Sequence, residues 1–101
     1  MDSLFQQQVF EITQLIPEGR VTTYGTIAKA VGYPNHSRQV GRTLRHCDEK
    51  IPAHRVCHSC GKIPENCLDE FTEKLKQEGI EIKGNKIQNY KTVFWNPLEE
   101  L

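Results

Sequence analysis

A chain of 101 residues with 37% hydrophobic and 26% charged residues suits one soluble globular domain with a modest core and excludes a disordered chain. No apolar run approaches the ~20 residues of a membrane span, and the N-terminus lacks the basic-then-apolar order of a secretion signal, so reduced thiols and an intracellular setting are expected. The net charge is zero, yet residues 20–62 carry eight bases against two acids, net +6, while both flanks are acidic. A basic middle is what a nucleic-acid contact requires, and an ordinary solvated surface is the competing reading.

Ser3 with Gln6 three positions on is a capping-box signal, and Phe5, Val9, Ile12 and Ile16 follow at helical spacing as one buried stripe. Pro17-Glu18-Gly19 ends that helix. Arg20-Val21-Thr22-Thr23 is short and β-branched, hence extended or a brief strand. Thr23 can cap a helix from about Tyr24 to Val31, with Ile27, Ala28 and Val31 inward, and Gly32 suits its left-handed exit. After Tyr33-Pro34-Asn35, either Asn35 or Ser37 can cap a second helix reaching about His46, with Val40 and Leu44 inward. Two short helices joined by a glycine-containing turn fit a helix-turn-helix.

The second helix carries Arg38, Arg42 and Arg45 at spacings of four and three, so they share a face. No acid occurs between Gly32 and Cys47 to neutralise them. Gly41 inside this helix costs about 1 kcal/mol relative to alanine, which is tolerable where another backbone must come close. Val56 to Ile63 reads as a tight hairpin around Ser59-Cys60-Gly61, in the position of a wing. Residues 65–78 form a further amphipathic helix with Leu68, Phe71 and Leu75 as its stripe, ended by Gly79. Ile80 and Ile82 alternate with charged residues, Gly84-Asn85 turns the chain, and Ile87 to Tyr90 returns. Val93-Phe94-Trp95 pins the tail to the body. The expected fold is mainly α with a small β component, a winged helix-turn-helix-like single domain over residues 1–101.

Cys57-His58-Ser59-Cys60 is a lone C-x-x-C, with Cys47 and Cys67 scattered around it. Two pairs at knuckle spacing would be strong evidence for zinc, whereas one pair is weak, so neither a metal nor a cofactor is expected. His54 is the histidine of interest, because it lies in the constrained stretch Ile51-Pro52-Ala53-His54-Arg55-Val56. A histidine there would normally activate a nucleophile. Position 53 is alanine, and no Ser, Thr or Cys lies within two residues of His54.

Pro52-Ala53-His54-Arg55-Val56 resembles the Pro-Cys-His-Arg-Val motif of the O6-alkylguanine-DNA alkyltransferases, with the acceptor cysteine replaced. The segments from Arg20 to Ala28 and from Ser37 to Gly41 match the same family's DNA-binding segments in order and spacing, and the likeness runs from about residue 4 to 82. A short chain without the acceptor is similar to the alkyltransferase-like proteins, which recognise the lesion without repairing it. The resemblance implies that Arg38 enters the base stack in place of a flipped nucleotide and that Tyr24 presses on the adjacent phosphate. It further implies that Gly41 and the start of its helix approach the minor groove, and that Ser59 touches phosphate. Arg42 joins this DNA-binding set, and Ala53, His54, Arg55 and Val56 form the expected lesion pocket.

Three departures from the family follow. Ala53 is small where such proteins often carry tryptophan, Cys47 stands where the family has an asparagine, and the segment between Gly61 and Gly79 is short, with Asn66 near the place of a stacking arginine. The implied partners are double-stranded DNA with O6-alkylguanine and nucleotide-excision repair proteins. The protein is expected to be a monomer with no membrane association, in the cytoplasm (nucleoid) or the nucleus. Two other readings stay open: a transferase whose acceptor was changed to Ala53, and a zinc-stabilised DNA-binding module without lesion specificity.

Overall fold

The computed structural model describes residues 3–45 and 50–100. In chain order the elements are α1 (Ser3–Gln14), β1 (Thr22–Thr23), α2 (Tyr24–Ala30), α3 (Ser37–Arg45), β2 (Val56–Cys57), α4 (Leu68–Gln77), β3 (Ile82–Lys83), β4 (Lys86–Ile87), α5 (Tyr90–Val93) and α6 (Pro97–Glu100). Single 3-10 turns occur at Ala53–Arg55, Ser59–Gly61 and Glu65–Cys67. The end of the second expected helix at His46, and Cys47, lie outside the described residues.

Helices α1, α2 and α3 pack on one another around Phe5, Val9, Ile16, Ile27, Ala28, Val40 and Leu44, joined by Val56 and Trp95. Ile12 is only half-buried, and its neighbour Thr13 is the buried residue, its hydroxyl donating to the Val9 carbonyl at 2.7 Å. That bond removes the cost of burying a hydroxyl. A second core gathers Val21, Cys57, Ile63, Leu75, Ile80 and Ile87 beneath α4 and the β3–β4 hairpin. Thr23 caps α2, its Oγ1 accepting from the Thr26 amide at 3.1 Å. The first bond of α3 runs from the Val40 amide to the His36 carbonyl, so the chain enters that helix from His36 rather than from Asn35 or Ser37.

The expected wing hairpin is replaced by a different pairing. Val56 and Cys57 pair in parallel with Thr22 and Thr23, and the helix-turn-helix is the crossover between them. Beyond β2, Cys60 at φ 65° and Gly61 at φ 84° turn the chain aside, so Lys62 bridges Lys86 instead of running back along β2. One bond, from the His58 amide to the Lys62 carbonyl at 2.9 Å, closes that turn. A Cβ on Gly61 would stand 3.1 Å from Tyr90 Cδ1 and 3.3 Å from Ile87 Cβ in a left-handed conformation. Gly61→Ala is therefore expected to lower stability by about 1–3 kcal/mol in urea unfolding.

The tail is pinned at Val21, whose amide donates to the Val93 carbonyl at 2.9 Å and whose carbonyl accepts from the Trp95 amide at 2.7 Å. Arg20 reinforces this by donating from Nε to the Val93 carbonyl at 3.1 Å and pairing with Glu100 at 3.1 Å.

Candidate nucleic-acid interface and base-sized cavity

Tyr24, the first residue of α2, and the outer face of α3 meet the Ser59–Gly61 turn along an open groove. Arg38, Gly41, Arg42, Arg45, His58 and Ser59 line it with Tyr24. Among the described residues no carboxylate lines this groove, and none pairs with its three arginines. The other two arginines of the basic middle are committed internally, Arg20 to the tail and Arg55 to Glu78. The groove's positive potential thus comes from α3. A Cβ on Gly41 would approach the Tyr24 ring only at 3.9 Å, an ordinary contact, so this glycine is not required by packing within the chain. It keeps the middle of the α3 face flat.

Behind the groove lies a cavity of about 270 Å³. Tyr24, Gly41, Arg45 and His58 line both spaces, so the cavity adjoins the groove directly. Its floor includes Ile51, Ala53 and His54, and its far wall is Asn66, Cys67, Phe71 and neighbours on α4. The size lies just below the ~300–1,000 Å³ range of ligand pockets, which suits one base rather than a larger ligand. The Tyr24 phenol is pushed well above its usual range by burial, reinforced by the nearby Cys67 and Cys57 thiols, so it stays a neutral hydroxyl donor. Its ring leans on His58 with centroids 5.4 Å apart.

Arg55 and Val56 do not line this cavity, unlike Ala53 and His54. A 3-10 turn rotates successive side chains by about 120°, so Ala53 and Arg55 point apart. The Arg55 Nη1 donates to the Ile16 carbonyl at 2.9 Å, and Val56 is fully buried in the first core.

The residue that organises the floor is Glu78, at the C-terminal cap of α4. Its Oε2 accepts from His54 Nε2 at 2.6 Å and from Arg55 Nη2 at 3.0 Å, and its Oε1 accepts from the Gly19 amide at 3.0 Å. One carboxylate thus ties the floor to the end of α4 and to the turn after α1. Sequence reasoning missed it, because no local spacing links position 78 to position 54. One sign was available: a carboxylate at a helix C-terminus opposes the helix dipole and needs a compensating partner.

The C-x-x-C is split by the fold. The Cys57 thiol is buried, donates to the Thr22 carbonyl at 3.4 Å and is pushed up to about 12 by burial, while Cys60 is exposed. Among the described residues no three His, Cys, Asp or Glu side chains converge as metal ligands.

A basic recognition helix, a neutral tyrosine at its edge and a one-base cavity behind it define a helix-turn-helix DNA-binding domain. Residues 4–84 match the family described as 6-O-methylguanine DNA methyltransferase, DNA binding domain, and the chain belongs to that family. It is 45% identical over 82 residues to a DNA base-flipping protein of Vibrio parahaemolyticus, covering 77% of this chain and 82% of that one. It is 34% identical over 103 residues to alkyltransferase-like protein 1 of Schizosaccharomyces pombe, covering 92% and 95%. The crystal structure of that yeast protein in complex with damaged DNA containing O6-carboxymethylguanine superposes with a TM-score of 0.87 at 33% identity over 96% of this chain and 99% of the other. The O6-methylguanine methyltransferase of Mycobacterium tuberculosis superposes at 0.68 and 30% identity over 77% of this chain and 50% of that enzyme.

Proposed function

We propose that this protein binds O6-alkylguanine in double-stranded DNA, flips it into the cavity and leaves the alkyl group in place. One observation carries the reading: a cavity of about 270 Å³, with Ala53 in its lining, adjoins a groove that among the described residues holds three arginines and no carboxylate. The resemblance to the transferases puts Ala53 at the place of their acceptor cysteine. A methyl group has no lone pair with which to accept an alkyl group. His54 is bound to Glu78 and has no neighbouring thiol in its own loop to activate.

In this reading α3 lies along the minor groove, its flat centre at Gly41 allowing close approach. Arg38 fills the gap in the stack, and Tyr24 and Ser59 hold the phosphates beside it. Extruding a base costs a few kcal/mol, which cavity and stacking contacts offset. The undisturbed lesion then serves as a signal for nucleotide-excision repair, the protein acting as a monomer wherever the DNA is, in the nucleoid or the nucleus.

A competition gel shift between O6-methylguanine and undamaged duplexes, followed by assay of the recovered DNA, tests the proposal. The expected result is preferential binding with the methyl group retained. Loss of the methyl group from DNA, with matching added mass on a cysteine such as the cavity-lining Cys67, would make the protein a transferase instead. Salt supplies a further expected result. If Arg42 and Arg45 each meet a phosphate, log K should fall with log salt at a slope of about −2, and Arg42→Ala should lower that slope by about one on damaged and intact duplex alike.

A further inference from the structure

Lys74 and Glu70 stand on the α4 wall of the cavity and do not reach the groove. They pair with each other at 3.3 Å, one helical turn apart, and the Lys74 side chain is 47% exposed. Among the described residues, the remaining ionisable or polar groups on the cavity are Tyr24 from α2, Arg45 from α3, His54 and His58 from the loop, and Asn66 and Cys67 before α4. Arg45 also lines the groove, where in the lesion-binding reading the DNA phosphates would compete for it. Among the described residues, Lys74 is therefore the one lysine or arginine that lines the cavity and not the groove.

Position matters as much as charge. Helix α4 packs on the Ala53–Arg55 turn, so its cavity-facing residues adjoin Ala53. In a base seated with its O6 edge toward Ala53, the O6 substituent runs out along this wall. We infer that Lys74, restrained by Glu70, is a specificity-determining residue that favours O6 adducts ending in a carboxylate over neutral adducts of the same size. This rests on the lesion-binding reading. The tether to Glu70 is an exposed ion pair of small net worth, so an anionic adduct can take over Lys74 at little cost. Glu70 opposes the same adduct by repulsion, which limits the preference.

The test measures binding to duplexes carrying O6-carboxymethylguanine, its carboxamide analogue, O6-methylguanine or plain guanine. Wild-type protein should bind the carboxylate about two- to fivefold tighter than the amide, the range of an exposed ion pair. Lys74→Met should bring that ratio to about one, Glu70→Gln should raise it, and added salt should shrink it. A wild-type ratio of one or below, or a preference that survives Lys74→Met, overturns the inference. Binding that does not distinguish any adduct from plain guanine overturns the lesion reading itself. Thermal melting of both variants confirms that the exposed substitutions leave the fold intact.

Discussion

Glu78→Ala is expected to lower folding stability by about 3–5 kcal/mol, the cost of breaking a buried ion pair from one side. The Glu78 side chain is 8% exposed and Arg55 17%, so the abandoned guanidinium stays in poor contact with water. The Gly19 amide and His54 Nε2 lose their acceptor in the same step. Small domains hold a margin of only ~5–15 kcal/mol, so the variant would be close to unfolding. Urea denaturation measures the effect, and a loss below about 1 kcal/mol would show that the turn stands without this anchor.

The same carboxylate makes stability acid-sensitive. Burial alone would raise the Glu78 carboxyl. The Arg55 guanidinium, the Gly19 amide and the His54 ring outweigh burial and hold it below the usual carboxylate range. A depressed folded-state value contributes stability that is complete above the unfolded value, about 4.3, and is lost as pH falls through the lower folded value. Melting temperature should therefore drop as pH falls below about 4.3, and Glu78→Gln should flatten that acid limb.

Arg38→Ala is expected to weaken binding to an O6-methylguanine duplex by about 10- to 100-fold, because a few kcal/mol of extrusion energy is no longer offset. Intact duplex should lose far less, since there Arg38 is one cation among three on α3. Arg38→Lys retains the charge without the planar stacking surface and should recover the intact-duplex affinity better than the damaged one. Equal losses on both duplexes would reduce Arg38 to a plain phosphate contact and remove its role in the stack.

The helical part of the fold was legible because its signals are local. The stripe through Phe5 and Val9, the Thr23 cap and the arginine face of α3 all depend on spacings of three or four residues. The likeness to the family was legible from short motifs for the same reason. The wing was misread because hairpin and parallel pairing look alike over two residues. What separates them is whether β2 finds β1, which lies 34 residues earlier in register.

The candidate site divides along the same line. Arg38, Gly41 and Arg42 share a helix face, so the chain's own periodicity placed them together. Arg55 and Val56 adjoin Ala53 in sequence, yet a 3-10 turn sent them to an ion pair and to the core. By itself the sequence determined the helices, the basic face and the absence of a nucleophile at position 53, since each is a matter of residue identity or local spacing. Only the tertiary structure decided that Glu78 locks the floor, that α4 closes the cavity, and that Lys74 lines it. Those relations join residues about twenty apart or more, whose approach is set by the packing of whole elements and leaves no period in the chain.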